Sequence, residues 1–219
     1  MIYHDNTTYT ILPIHEYKLC FVLHQKSANT SVKRMIKTAL GIKKLTRREI
    51  NWNWDFLSPA EVPVDYYTVS IVRDPIERVK SLYADKFGGQ GSVGSYLAEI
   101  GFTQKMTFAE YVNLLCNQSD RIIDKHLRQQ TFSLYTDDRC IADKIYKLET
   151  IEWQNFRDKI YNKTGFFLDV EVEFANTTHP ERKSFVENLM TPELLEKLKF
   201  RYRDDLRLLG YFKWYQDKE

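Results

Sequence analysis

Lys26 is the residue with the clearest chemical purpose. It stands in His24-Gln25-Lys26-Ser27-Ala28-Asn29-Thr30-Ser31, a polar turn of mostly small side chains between two apolar stretches. If a helix begins here, its first turn offers unpaired backbone N–H groups and a partial positive charge. Thr30 and Ser31 add hydroxyls and Lys26 adds a full charge, which together make an anion cradle. An ordinary strand–turn–helix with a solvated lysine would carry the same residues. Arg73 supplies a second anion group: it follows an apolar run and precedes Asp74-Pro75, with Ser81 two turns into the helix that Pro75 opens. Two anion groups at adjacent strand ends suit a ligand carrying phosphates at both ends.

The elements that must hold these residues are legible from periodicity. Leu19 to Leu23 is a short apolar run and reads as a buried parallel strand. Val32, Met35, Ile36, Ala39 and Leu40 follow at helical spacing. Tyr66 to Val72 is the clearest strand. Asp74 is the expected N-cap of a helix burying Ile76, Val79, Leu82, Tyr83 and Phe87, stopped at Gly88-Gly89. Arg78 and Glu77 are expected on its surface. The chain from Gly88 to Thr107 holds most of the glycines and reads as a mobile excursion on the active face, not a core element. Thr107 is expected to cap a helix over Phe108 to Leu115. An edge strand is expected at Tyr9 to Leu12 with Pro13 as a break, a third main strand at Asp143 to Leu148, and a helix from Ile151 to Thr164 ended by Gly165. Phe166 to Val172 reads as a further strand, Asn176 to Ser184 as a polar loop, and Thr191-Pro192 as the start of one long last helix. The pattern predicts a single α/β domain over residues 1–219, a parallel sheet flanked by helices.

Composition narrows the function classes. With 43% hydrophobic residues and a net charge of +2, the chain can bury a core and carries no overall basic field for nucleic acid. The basic cluster Lys43, Lys44, Arg47 and Arg48 reads as a solvated surface, with an acceptor-receiving patch as the alternative. Trp52, Trp54 and Phe56 could form a short strand or an aromatic platform. The three cysteines show no zinc spacing and fit a reducing compartment. No apolar run is long enough for a membrane helix and no signal peptide is visible, so the expectation is a soluble, cytoplasmic protein.

Two motifs carry a family resemblance. Lys26-Ser27-Ala28-Asn29-Thr30-Ser31 resembles the K-T-A-G-T-S turn of the PAPS-dependent sulfotransferases, and Val72-Arg73-Asp74-Pro75-Ile76-Glu77-Arg78-Val79-Lys80-Ser81-Leu82-Tyr83 matches every fixed position of their V-R-D-P-x-x-R-x-x-S-x-Y. The chain is most similar to the carbohydrate (Golgi-type, family 2-like) branch. Lys125-His126 with Gln129 or Gln130 resembles H-W-x-P-Q, Tyr146-Lys147-Leu148-Glu149 resembles the K-L-E-T strand end, and Arg182-Lys183-Ser184 with Tyr202-Arg203-Asp204-Asp205 resembles the C-terminal loop and helix. Gln25 departs from the usual proline, Asn29 from glycine, and Leu127 from tryptophan. Asn29 would tolerate a left-handed backbone there.

The resemblance implies the P-loop-NTPase-like sulfotransferase fold and PAPS (3′-phosphoadenosine 5′-phosphosulfate) as co-substrate, with no metal. Lys26, Ser27, Ala28, Asn29, Thr30 and Ser31 would hold the 5′-phosphosulfate. Arg73 and Ser81, with Arg182 and Lys183, would bind the 3′-phosphate. Lys26 would also be catalytic, and His126 is the candidate base, with His24 as its rival. The acceptor would be a hydroxyl on a carbohydrate. One alternative is a non-catalytic glycan- or partner-binding module of the same fold. A P-loop kinase fits less well, since no glycine lies between Leu19 and Leu40.

Overall fold

The computed structural model of the chain describes residues 10–42, 54–87, 93–168 and 180–216. Its strands are β1 (Ile11–Ile14), β2 (Leu19–Leu23), β3 (Tyr67–Val72), β4 (Tyr135–Thr136), β5 (Arg139–Cys140) and β6 (Lys144–Lys147). Its α-helices are α1 (Asn29–Ala39), α2 (Pro75–Lys86), α3 (Ser95–Glu99), α4 (Phe108–Cys116), α5 (Thr131–Leu134), α6 (Trp153–Thr164), α7 (Pro180–Glu187), α8 (Pro192–Arg201), α9 (Arg203–Leu208) and α10 (Phe212–Gln216). The chain divides into two compact units, one made of Thr8–Val72 and Ser133–Asn176, the other of Met1–Thr7, Arg73–Phe132 and Thr177–Glu219.

The first unit holds a four-stranded sheet in the order β1-β2-β3-β6. All five residues of β2 are buried, and five of the six in β3, as expected of strands covered on both faces. β2, β3 and β6 are parallel, with Leu19 opposite Tyr67 and Leu23 opposite Ile71. Their carboxyl ends therefore share one edge of the sheet, the edge where open α/β sheets bind ligands. The expected edge strand is present two residues later than predicted and runs antiparallel to β2. Pro13 sits inside it, opposite Cys20, rather than breaking it. An edge strand needs only one side of its hydrogen-bonding capacity, so the missing N–H is tolerated there. Phe21, Val32, Ile36, Val69, Phe156 and Ile160 form the core of this unit. Each such side chain contributes roughly 1.5–3 kcal/mol on burial.

α1 presents that core with Val32, Met35 and Ile36, but Leu40 is exposed because the helix stops at Ala39. Two lysines share its buried surface: Lys33 lies over the Phe56 ring at 5.2 Å and Lys37 over Trp54 at 4.7 Å. The aromatic segment thus clasps α1, each cation facing a π cloud while its aliphatic stem packs. Trp52 and the basic cluster at 43–48 lie outside the described residues. α6 starts two residues later than expected and ends at Gly165, whose φ of 74° terminates it in the left-handed region. Phe166 to Leu168 is irregular rather than the start of a strand, and the remainder to Val172 lies outside the described residues.

The second unit is helical around Val79, Leu82, Tyr111, Leu115, Leu198 and Tyr202, and the expected excursion is not outside the core: Leu97 and Phe102 are buried in it, because their apolar side chains pack on this cluster. Thr107 caps α4 through a reciprocal pair with Glu110, and Thr191 caps α8. The long last helix expected after Thr191 is broken at Tyr202 into α8 and α9, although Leu194, Leu198, Tyr202, Leu206 and Leu209 are all buried. The expected polar loop at 176–184 is helical from Pro180 onward. Among the described residues no helix is long and apolar enough to cross a membrane.

Candidate functional site

The turn leaving β2 has the backbone of an anion nest. Lys26 and Ala28 both take the left-handed region, at φ 64° and 58°. Alternating hands of this kind turn successive N–H groups toward one concave side. Positive φ costs an L-residue of order 1 kcal/mol or more, and such strain concentrates at functional turns. Asn29 is not left-handed; the tight reversal is completed one residue earlier, at Ala28, and Asn29 already begins the helix.

Ala28 is the N-cap of α1 and has no side chain that could cap it. Three helices of the other unit, α2, α4 and α8, are capped by Asp74, Thr107 and Thr191. The N-cap residue of α1 thus gives that helix no side-chain cap of the kind those helices have, and the positive end of its dipole stands beside a lysine. Ser27, Asn29 and Ser31 are buried, while Lys26, Ala28 and Thr30 are half-buried. The Asn29 Oδ1 atom is buried with no hydrogen-bond partner among the described residues. His24 is 5% exposed and its carbonyl accepts the Ser27 N–H at 3.2 Å, so it builds the turn from within the core.

The Arg73 junction is held from three sides. Asp74 Oδ1 accepts from the backbone N–H of Ile76 at 2.8 Å and of Glu77 at 3.1 Å, the expected N-cap, with Pro75 at the first helical position. Tyr215 of α10 donates its hydroxyl to the same carboxylate, 2.8 and 2.7 Å from its two oxygens. Gln130 holds Arg73 itself: its Oε1 accepts the Arg73 N–H at 2.9 Å and its Nε2 donates to the Arg73 carbonyl at 2.8 Å. The Arg73 side chain is partly exposed and Ser81 is nearly buried on α2.

Arg78 is not on the surface as expected. It is 2% exposed, with Nη1 3.8 Å from the fully buried Asp205. Its guanidinium also donates to the carbonyls of Arg128 at 3.2 Å and His126 at 3.4 Å. Burial lowers the Arg78 pKa and raises that of Asp205, each opposed by the partner's charge. Asp205 further accepts from the backbone N–H groups of Gln130 and Thr131, at 2.9 and 2.8 Å, and from the Thr131 hydroxyl at 2.9 Å. The segment 126–131 therefore hangs on α2 and α9 through charge-assisted bonds.

His126 lies on that segment, partly exposed. Its Nδ1 is 2.5 Å from Asp124 Oδ1, which also accepts the His126 backbone N–H at 2.8 Å. Burial alone would raise the Asp124 carboxyl, but the hydrogen bond and charge of His126 outweigh it and hold the carboxyl below its ordinary range. With Nδ1 turned to Asp124, Nε2 is the ring nitrogen left to meet a substrate proton. A base oriented by a carboxylate is the arrangement that proton abstraction needs. Arg182 and Lys183 fall on α7, which packs on α2; their side chains lie outside the described ones.

Lys26 to Ser31 thus come together in one turn of the sheet unit. Arg73, Ser81 and His126 belong to the helical unit, where Gln130, Asp205 and Arg78 link Arg73 to the backbone of His126 and Ser81 lies on the same helix as Arg78. Neither Asp124 nor Asp205 has a role that its sequence neighbours assign, although Asp205 lies in a segment that carries the family resemblance. Asp124 had a local signal, an aspartate two residues before a histidine, whereas Asp205 meets its partners only through the fold. No curated protein and no solved structure matches the chain. A family model described as the sulfotransferase family matches residues 9–212, and by that match over nearly its whole length the chain belongs to the sulfotransferase family.

Proposed function

We propose that this sulfotransferase takes its sulfuryl group from PAPS and passes it to a hydroxyl of a carbohydrate. The observation that carries this reading is the β2–α1 turn, where a helix N-terminus without a side-chain cap, two left-handed residues and Lys26 coincide. The residues present fit a phosphosulfate: the start of α1 carries the positive end of the helix dipole, Ser27, Thr30 and Ser31 bring hydroxyls, and Lys26 supplies a countercharge. When bound, the donor brings an activated sulfur, whose bond to the bridging phosphate oxygen breaks as the acceptor oxygen bonds to it. In this reading Ser27 to Ser31 orient the 5′ end and Lys26 meets the charge that builds on the departing oxygen. Arg73 and Ser81, with Arg182 and Lys183, take the 3′-phosphate. His126 Nε2 accepts the acceptor's proton, Asp124 stabilising the imidazolium that results.

The test is thermal protection followed by transfer. Saturating 3′,5′-adenosine bisphosphate should raise the melting temperature by about 5–10 °C. AMP and ATP, lacking the 3′-phosphate, should raise it far less. Equal protection by all three would remove PAPS as the donor. Protection without transfer to any glycan in a panel, with labelled PAPS, would point to a non-catalytic module.

His126→Ala should lower turnover by about 10²- to 10⁴-fold while leaving the affinity for the bisphosphate unchanged. Full turnover in this variant would take the base role away from His126.

A further inference from the structure

We infer that Gln130 is a positioning residue for recognition of the donor's 3′-phosphate, acting through the backbone of Arg73. The inference rests on the reading of Arg73 as a ligand of that phosphate. Arg73 is the first residue past β3, where pairing with β6 ends at Val72 opposite Lys147. Only Arg73 and Asp74 separate the strand from Pro75, so the direction of the Arg73 side chain is set by very few dihedrals. Asp74 is fixed by its capping bonds and by Tyr215. Arg73 has Gln130.

A carboxamide that accepts from the N–H and donates to the C=O of one residue imitates the pairing a neighbouring strand would give. The Gln130 side chain does so at 2.9 and 2.8 Å while fully buried. Its orientation is not free to reverse. Nε2 also lies 3.3 Å from Asp205 Oδ2, and a carboxylate only accepts. Asp205 holds the Gln130 backbone N–H as well, and is itself held by Arg78. The chain of contacts therefore runs from a buried ion pair, through one amide, to the backbone of the arginine. A glutamine with only a packing role would not need both ends of its amide on one residue.

The test uses the ratio of affinities for 3′,5′-adenosine bisphosphate and AMP, measured by calorimetry on the full chain. Both nucleotides draw on the same folded pool, so the ratio does not move when a variant merely loses stability. Gln130→Met fills the same volume without hydrogen bonds, and its ratio should fall by about tenfold to a hundredfold with AMP affinity unchanged. Gln130→Glu keeps the shape and the acceptor toward the Arg73 N–H. It loses the donor and brings a second carboxylate against Asp205, and its ratio should fall as well. A wild-type ratio in either folded variant overturns the inference. So does failure of both isosteres to fold, which would make the residue one of stability. If the wild-type protein itself shows no preference for the bisphosphate, the donor reading fails first and this inference with it.

Discussion

Lys26→Ala should abolish most sulfuryl transfer and leave the protein folded. Position 26 is left-handed at φ 64°, a strain that alanine bears as lysine does, so the substitution adds no backbone cost. Stability should stay within about 1 kcal/mol of wild type, as for most substitutions outside a packed core. Chemistry should not survive so well. Removing one preorganised group from a developing oxyanion typically costs about 10²- to 10³-fold in turnover, and here the group lost carries a full charge. Single-turnover transfer from labelled PAPS measures the loss, and urea unfolding measures the stability. A variant that transfers at the wild-type rate would show that the β2–α1 turn is not where the leaving charge is met.

The largest effect on stability is expected at Arg78. Arg78→Ala strands Asp205, fully buried, with no countercharge, and takes a donor from each of the carbonyls of His126 and Arg128. Breaking a buried pair from one side costs about 3–5 kcal/mol, a large share of the 5–15 kcal/mol that holds a typical domain. The urea midpoint should drop accordingly. Arg78→Met combined with Asp205→Asn should recover part of the loss, because neither partner is then left as an isolated charge. An unchanged midpoint in Arg78→Ala would mean that the pair is solvated and that segment 126–131 is held by other contacts.

The sequence revealed what is local. The apolar runs of β2 and β3, the Asp74-Pro75 start of α2, the Thr107 cap and the Gly165 stop are each decided by a few neighbouring residues. The strand–turn–helix around Lys26 was legible for the same reason, though its left-handed residues proved to be Lys26 and Ala28 rather than Asn29. Arg78 was misjudged because α2 is buried around most of its circumference: Ile76, Arg78, Val79, Ser81, Leu82 and Tyr83 all lie inside. A one-sided stripe cannot describe such a helix. The break at Tyr202 was invisible because the buried stripe continues through it in step. Gln130 and Asp205 meet across 75 positions, and Gln130 and Arg73 across 57, separations that no spacing rule reaches.

The hydroxyl of Tyr215 reaches Asp74 across 141 positions of chain. On the ribosome, the segment around Arg73 is made long before the groups that steady it. Asp205 and Tyr215 must both leave the exit tunnel before Gln130 and Asp74 find their final partners. If Arg73 takes the donor nucleotide as proposed, its capture is deferred to the last moments of synthesis, and a nascent chain stalled short of residue 215 should present the motif without the contacts that steady it.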